Sequence, residues 1–369
     1  MRVLVAGWVN SPHVTRWVDM LLSLDYEVAL VGHSAPGWPN SAPPEAVVTY
    51  DEYRLGRVPL ARSLDLGRHL RASAARIRPD LIHAHWLAEY GWLGARARLH
   101  PLVSSAWGSD VLDAGWLVRR RARVAISGAD LVLADSSALA EAATRLAPDV
   151  TPVELFHPGV DVDHYRPFDR DAARRSLGWV PEVPIVLSAR ALSPRYNPLT
   201  VIRAFARVRT KLPSARLVLK HPGDSVPRHV EDAIREHELS ASVDVVGHLD
   251  EGAMPRIYQA ANVVVSVPSS DSSPATAWEA LACGRPLVVS DLPWARAELE
   301  HIKNAWLIPV DERALAEALT SVLTNEHLAA RLAEGGRRLA SRTMDGISRD
   351  HQPLTVITPP CETIHCGRA

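Results

Sequence analysis

The chain reads as an α/β protein made of two doubly wound, parallel-sheet domains. Three observations predict this. Short apolar, β-branched runs alternate with segments of helical periodicity, the pattern of successive β-α-β units. The strand–helix rhythm starts twice, at Arg2 and again at Ile185. The length, 369 residues, is about two domains' worth.

Composition narrows the function classes. Hydrophobic residues make up 47% and charged residues 22%, ordinary for a soluble globular chain. A net charge of -1 gives no reason to expect nucleic acid as a partner. The three cysteines, Cys283, Cys361 and Cys366, form neither a disulfide framework nor a zinc pattern and fit a reducing compartment. The sixteen histidines lack metal-ligand spacing apart from His83-x-His85, so no metal and no cofactor are expected. The opening MRVLVAGW is too short an apolar run for a signal peptide, and no apolar stretch reaches the length of a membrane span. A cytoplasmic location is expected, with peripheral membrane contact left open. Arg/Ala-rich, Lys-poor usage suggests a high-GC bacterium.

In the first half, Arg2 to Ala6 is an apolar strand. His13 to Leu24 repeats with helical period, with Val14, Trp17, Val18, Leu21 and Leu22 on one side, and Tyr26 to Val31 is the next strand. No Gly-x-Gly-x-x-Gly follows the first strand, so this is not the dinucleotide fingerprint. Gly7 is read either as a close-approach glycine or as a plain turn residue. Ser34 to Pro44 is a loop. Leu60 to Ile77 is an amphipathic helix whose arginines (Arg62, Arg68, Arg71, Arg76 and, just past its end, Arg78) are read as a solvated face before a membrane-binding one. Leu81 to His85 is a strand, and the text at 101–112 is a strand ending in a turn. A helix over Arg119 to Gly128 leads to a strand at Ala129 to Ala134. Asp135-Ser136-Ser137 then caps a helix from Ala138 to Leu146, and Val153 to Leu155 is a short strand. His85, Trp86, Trp107, Ser109 and Asp110 all fall at carboxyl ends of strands, where open α/β sheets bind ligands. Asp163 to Asp171 is the expected linker, giving domains over 1–163 and 164–342.

The second half begins with Ile185 to Ala189 and Arg190, then a helix from Leu199 to Lys211. Arg216 to Leu219 is a strand ending at Lys220, and Val243 to Val246 is one ending at Gly247. Glu251 to Ala261 is a helix with Met254, Ile257 and Tyr258 turned inward. The densest chemistry follows. Val263 to Val267 is a strand covered on both faces, stopped by Pro268. The loop Ser269 to Pro274 is nearly all hydroxyl and carboxylate. A helix runs from Ala275 to Ala282, with Gly284 where a left-handed residue ends a helix, and Leu287 to Val289 is the next strand. A helix N-terminus offers unpaired N–H groups to an anion. Asp271 and Glu279, eight positions apart, flank it. On the residues alone, two readings stand level: Asp271 and the serines cap a helix and Glu279 is solvated, or both carboxylates serve a ligand. Helices at Trp294–Leu299, Asp311–Leu323 and His327–Leu339 and an edge strand at Ala305–Val310 complete the domain. The pattern stops near Thr343, so 343–369 is expected to be an irregular tail.

The stretch Asp271 to Pro286 resembles the donor-site signature of retaining GT-B glycosyltransferases of glycosyltransferase family 4: two acids with seven residues between them, then Ala, a small residue, Gly and Pro. Asp271 stands where Glu is more usual. PDLIHAHW, PLVSSAWGSDVL and the turn His157-Pro158-Gly159-Val160-Asp161 resemble the same family's first domain, and the resemblance covers roughly residues 1 to 342. It implies the GT-B fold and retaining transfer of a sugar from a nucleotide-diphosphate donor to a carbohydrate, lipid or small-molecule acceptor, without a metal. Asp161-x-Asp163 is read as a turn. The resemblance further implies that Glu279 binds the ribose hydroxyls and Asp271 the transferred sugar. The N–H groups of Ser273, Pro274's neighbour Ala275 and Thr276 would bind phosphate or sugar, and Arg190 and Arg195 the diphosphate. Lys220 and Gly247 would lie near the nucleotide. His13, His85, Trp107, Ser109 and Asp110 would lie on the acceptor side. The chain departs from the family at Trp107, where a His is usual, at Arg195-Tyr196-Asn197, where Lys-Gly is common, and in lacking a recognisable final helix crossing back to the first domain. Two other readings follow: a catalytically impaired binding protein of the same fold, or a GT-B sugar-nucleotide epimerase.

Overall fold

A computed structural model describes residues 1–35, 45–54, 59–148, 151–157, 159–221, 223, 225–249 and 252–349. Most of the Ser34–Pro44 loop and all residues beyond 349 lie outside that set. The chain divides into two compact units, Met1–Pro158 and Gly159–Asp350.

Unit 1 holds seven strands: β1 (Arg2–Trp8), β2 (Glu27–His33), β3 (Thr49–Glu52), β4 (Leu81–His85), β5 (Leu102–Ser105), β6 (Leu131–Ala134) and β7 (Val153–Leu155). Their order is β3-β2-β1-β4-β5-β6-β7, all parallel. Between them run α1 (Pro12–Ser23), α2 (Pro59–Ile77), a π-helical turn (Trp86–Gly91), α3 (Trp92–Arg96), α4 (Trp116–Ser127) and α5 (Ser137–Leu146). Alternation along β1 splits the core in two. Val3 and Val5 pack with Val14, Trp17 and Leu21 of α1, while Leu4 and Ala6 pack with Leu66 and Leu70 of α2. A strand buried on both faces needs the near-continuous apolar run seen here. Ser11 and Ser136 cap α1 and α5 through their hydroxyls. The arginine face of α2 is exposed at Arg68, Arg71 and Arg76; Arg68 pairs with Asp65 and Arg76 with Asp51, as a solvated face would. Among the described residues, no helix is long and apolar enough to cross a membrane.

Unit 2 opens with α6 (Arg170–Ser176) and β8 (Ile185–Ser188). A 3-10 turn (Pro194–Tyr196), α7 (Pro198–Lys211), β9 (Arg216–Lys220), α8 (Arg228–Glu236), β10 (Val243–Val246) and α9 (Met254–Ala260) follow. Then come β11 (Val263–Ser266), α10 (Ala275–Ala282), β12 (Leu287–Ser290), α11 (Pro293–Glu298), β13 (Trp306–Ile308), α12 (Glu312–Thr324) and α13 (Glu326–Arg349). Sheet order is β10-β9-β8-β11-β12-β13, again all parallel. In each sheet the winding reverses once, between β1 and β4 in unit 1 and between β8 and β11 in unit 2. The crevice for a ligand forms at such reversals, beyond the strand carboxyl ends.

The structure corrects several expectations. α6 begins at Arg170, inside the expected linker, and runs past its end, and α8 was not anticipated. Each buries only two residues, Ala173 with Arg174 and Val230 with Ala233, too sparse an apolar stripe to read as a period. The last helix runs through Thr343 to Arg349, because no proline interrupts it before that point.

Arg174 is a buried charge on the shortest of these stripes. Its guanidinium donates to the carbonyls of Ala260 and Pro181 and, at 2.5 Å, to Asn262 Oδ1, so it joins α6 to the loop before β11. Arg174→Ala should lower unfolding free energy by about 1–3 kcal/mol for each acceptor left buried and unpaired, read as a drop in the urea midpoint of unit 2.

Candidate active site

In unit 2, the strand ends at the β8/β11 reversal carry Arg190 and the loop before α10. Arg190 is 9% exposed. Its Nη2 donates to Asp271 Oδ2 at 2.6 Å, and its Nη1 donates to Thr276 Oγ1 at 2.7 Å. Its guanidinium lies 4.1 Å from the centre of the Tyr196 ring. One cation therefore ties the end of β8 to the acidic loop and to the first turn of α10, while an aromatic face shields it. Its Nε is buried without a hydrogen-bond partner among the described residues. Burial pushes the Asp271 carboxyl above the ordinary carboxylate value, and the charges of Arg190 and Arg195 and the Ser272 N–H pull it back. Arg195 sits in the 3-10 turn, its carbonyl accepting from Ser269 N–H at 2.9 Å.

The capping reading of the loop does not hold. The residue at the N-cap of α10 is Pro274, and no side chain caps the helix. Asp271 instead accepts from Arg190 and from Ser272 N–H. The Ser273 hydroxyl is also committed: it accepts from Trp278 Nε1 at 2.9 Å and donates to Glu298 Oε2 at 2.6 Å. Among the described residues, no side chain accepts from the N–H groups of Ala275 and Thr276, which suits an anion.

Glu279 is not solvated. It is 3% exposed and accepts from Tyr258 Oη at 2.8 Å. Lys220, half-buried at the end of β9, is held below the ordinary lysine value by burial, and the nearby charge of Glu279 raises it again. Arg190 and Lys220 therefore lie at the ends of the paired strands β8 and β9, and Glu279 of α10 acts on the charge of Lys220. Gly247 has open space around it: a Cβ there would meet nothing within 4 Å. The Asp161-x-Asp163 segment is a turn, with Asp161 Oδ1 accepting from the N–H groups of Asp163 and His164 at 2.9 Å each. Among the described residues, no group of three or more His, Cys, Asp or Glu side chains could hold a metal.

Glu298, Tyr196 and Tyr258 were missed as site residues. The inward reading of Tyr258 was the available signal, but the partner of its hydroxyl was not legible. Burial pushes the Glu298 carboxyl up to about 7 from 4.5, against the Ser273 hydrogen bond. A carboxyl raised in the fold stabilises the fold below its unfolded pKa, and that contribution is lost as pH rises through the folded value. Stability should therefore fall between pH 4.5 and about 7, and Glu298→Gln should flatten that fall in a pH series of thermal midpoints.

In unit 1, the β1/β4 reversal is aromatic. Trp8 ends β1, Trp86 follows β4 and Trp107 follows β5; all three are half-buried. The centres of the Trp8 and Trp86 rings are 5.0 Å apart, those of Trp8 and Trp107 5.5 Å, and those of His13 and Trp107 5.1 Å. His85 is fully buried against His83 and Trp17, and burial holds it well below the ordinary histidine value. Ser109 lies in the turn after Trp107. Two expected roles change. Asp110 does not present its carboxylate outward. It is fully buried, accepts from Leu87 N–H at 2.8 Å and Trp107 N–H at 3.0 Å, and is pushed up to about 6 by burial. It pins the turns after β4 and β5 to each other. Gly7 is a packing glycine: a Cβ there would stand 2.7 Å from Val14 Cγ2 and 3.3 Å from His85 Cβ, so α1 fills the space a ligand would need.

Both units match known families. Residues 2–136 match the glycosyl transferase 4-like family, and residues 169–339 match the glycosyl transferases group 1 family. The chain belongs to the group 1 glycosyltransferases. It is similar to D-inositol 3-phosphate glycosyltransferase 2 of Catenulispora acidiphila, 28% identical over 71% of this chain and 67% of that one. It is similar also to a D-inositol 3-phosphate glycosyltransferase of Saccharomonospora viridis, 29% identical over 71% of this chain and 66% of that one. The chain thus spans about two thirds of the length of these relatives. Among solved structures, sucrose-phosphate synthase from Thermosynechococcus elongatus superposes with a TM-score of 0.81 at 19% identity, covering 96% of this chain and 98% of that one. Anabaena HepE in complex with UDP and glucose superposes with a TM-score of 0.80 at 20% identity, covering 97% and 100%. These neighbours share the fold, and the GT-B class expected of a group 1 glycosyltransferase is borne out. Such enzymes use nucleotide sugars.

Proposed function

We propose that unit 2 binds a nucleoside diphosphate sugar and that the protein transfers the sugar to an acceptor hydroxyl with retention of the anomeric configuration and without a metal. The observation that carries this reading is the Arg190 clamp, a buried cation held by Asp271, Thr276 and Tyr196 beside a helix N-terminus that no side chain caps. Glu279 accepts hydrogen bonds from the ribose hydroxyls, and Asp271 accepts one from the sugar. Arg190, Arg195 and the N–H groups at the start of α10 face the diphosphate, with Lys220 beside it. The anomeric C–O bond breaks with its electron pair leaving on the diphosphate. The acceptor oxygen bonds to the same face, and its proton passes to a phosphate oxygen. Charge that develops on the leaving group meets fixed cations and dipoles, which cost no reorganisation at that moment.

A thermal-shift panel of UDP, GDP, ADP, dTDP and CMP tests the donor assignment. At about 100 times its dissociation constant, a nucleotide stabilises the fold by about 2.7 kcal/mol, a shift easily resolved. One nucleoside diphosphate is expected to bind; silence across the panel would overturn the reading. The anomeric coupling constant of the product tests retention, and activity in chelator tests metal independence. An epimerised sugar formed without acceptor would favour the epimerase instead.

A further inference from the structure

The acceptor end of the proposed reaction is the part the chain makes its own. The three indoles of Trp8, Trp86 and Trp107 form a cluster at the β1/β4 reversal, and all three residues are half-buried. Buried tryptophans are ordinary core. Three half-buried ones gathered at the strand ends of an open sheet present apolar ring faces where ligands bind.

This cluster is built. Trp86 holds a backbone φ of +65°, a left-handed conformation costly for an indole-bearing residue. The buried Asp110 carboxylate fixes it there through Leu87 N–H and fixes Trp107 through its own N–H. Trp8 Nε1 donates to Glu89 Oε2 at 2.9 Å, which orients the third ring. Two polar groups remain for a ligand. The Trp86 Nε1 is buried with no hydrogen-bond partner among the described residues, and so are both ring nitrogens of the fully buried His85, 5.9 Å from Trp107.

The charge around the cluster decides the class. Glu89 is the carboxylate beside the rings, and His13 and His85, ring neighbours of Trp107, are imidazoles. Arg16, one turn further along α1, already has a partner. The N-terminus of α1, which opens at this edge, starts with Pro12 and is capped by the Ser11 hydroxyl, so few N–H groups are left for an anion. A phosphate needs cations or free N–H groups, and here it would meet indole faces and the carboxylate of Glu89.

We propose that the acceptor is an uncharged, ring-bearing alcohol that stacks on Trp8, Trp86 and Trp107, and that a phosphate ester is refused. The proposal rests on reading the protein as a glycosyltransferase whose unit 1 binds the acceptor. It separates this chain from the relatives whose names specify an inositol phosphate.

Saturation-transfer NMR on the full chain tests it with methyl α-D-glucopyranoside, resorcinol, D-inositol 3-phosphate and, separately, UDP. The two neutral probes distinguish a sugar ring from an aromatic one. At least one should receive saturation, the inositol phosphate should not, and Trp8→Ala and Trp107→Ala should each weaken the neutral ring by about tenfold, with Trp8→Phe restoring most of it. Nucleotide binding by the variants reports that unit 2 is folded, and recovery in Trp8→Phe reports that unit 1 is. Binding of the inositol phosphate in preference to both neutral rings would overturn the proposal, as would neutral-ring binding unchanged in both alanine variants. Ring binding without binding of UDP or any other nucleotide of the panel would count against the transferase reading alone; nucleoside diphosphate binding without any ring would count against this proposal alone.

Discussion

Replacing Arg190 with alanine should lower turnover by about 10²- to 10³-fold, the effect of removing one preorganised charge from a group-transfer site. The loss should appear in kcat more than in the dissociation constant for the nucleoside diphosphate. Arg190 bonds Asp271 and Thr276 at the start of α10, where the leaving group would gain charge. A second readout follows from the same pair. Burial already raises the Asp271 carboxyl, and Arg190 is the largest of the influences that lower it. Without that guanidinium, the carboxyl should hold its proton to higher pH, so the acid limb of the pH–rate profile should move upward. Arg190→Lys should recover only part of the rate, because an ammonium cannot lie flat on Tyr196 while donating in a planar fork to Thr276 and Asp271. An alanine variant with wild-type turnover would remove Arg190 from the mechanism.

Glu279→Ala should abolish most nucleotide affinity. A hydrogen bond to a charged group is worth about 1.5–3 kcal/mol, so the dissociation constant of the bound nucleoside diphosphate should rise by roughly 10- to 100-fold. Calorimetry with that nucleotide measures it. The variant also removes the acceptor of the fully buried Tyr258 hydroxyl, at a cost to stability of about 1–3 kcal/mol. Glu279→Gln separates the two effects: it keeps an oxygen for Tyr258 but not the charge. Its thermal midpoint should stay near wild type while affinity still falls. If nucleotide affinity is unchanged in both variants, Glu279 holds the fold together and not the donor.

The two predictions rest on different kinds of information. The spacing of Asp271 and Glu279 around a helix start is local, and local spacing survives in sequence. The strands were legible for the same reason. Leu81–His85, Val153–Leu155 and Val243–Val246 match the expected limits, because short runs bounded by Pro, Asp or Gly are a local signal. Gly284, read as a helix terminator, does adopt a left-handed φ of +63°. Short helices with two buried residues, α6 and α8, carry too little of that signal.

The partners were decided by tertiary structure alone. Arg190 meets Asp271 and Thr276 across 81 and 86 positions of chain, and Tyr258 meets Glu279 across 21. Nothing in a residue's own neighbourhood specifies such a pairing; the order of strands in the sheet does. That order turned Asp110 from a ligand-facing acid into the pin beneath two turns, and it filled the space over Gly7 with Val14. It also drew Trp8, Trp86 and Trp107 from three separate strand ends into one cluster. The sequence by itself determined the two α/β halves and the acidic pair, since periodicity and spacing are properties of the chain. Only the folded sheets decided which charges are clamped, which are buried and which surface is left for a ligand, since those depend on contacts between residues far apart along it.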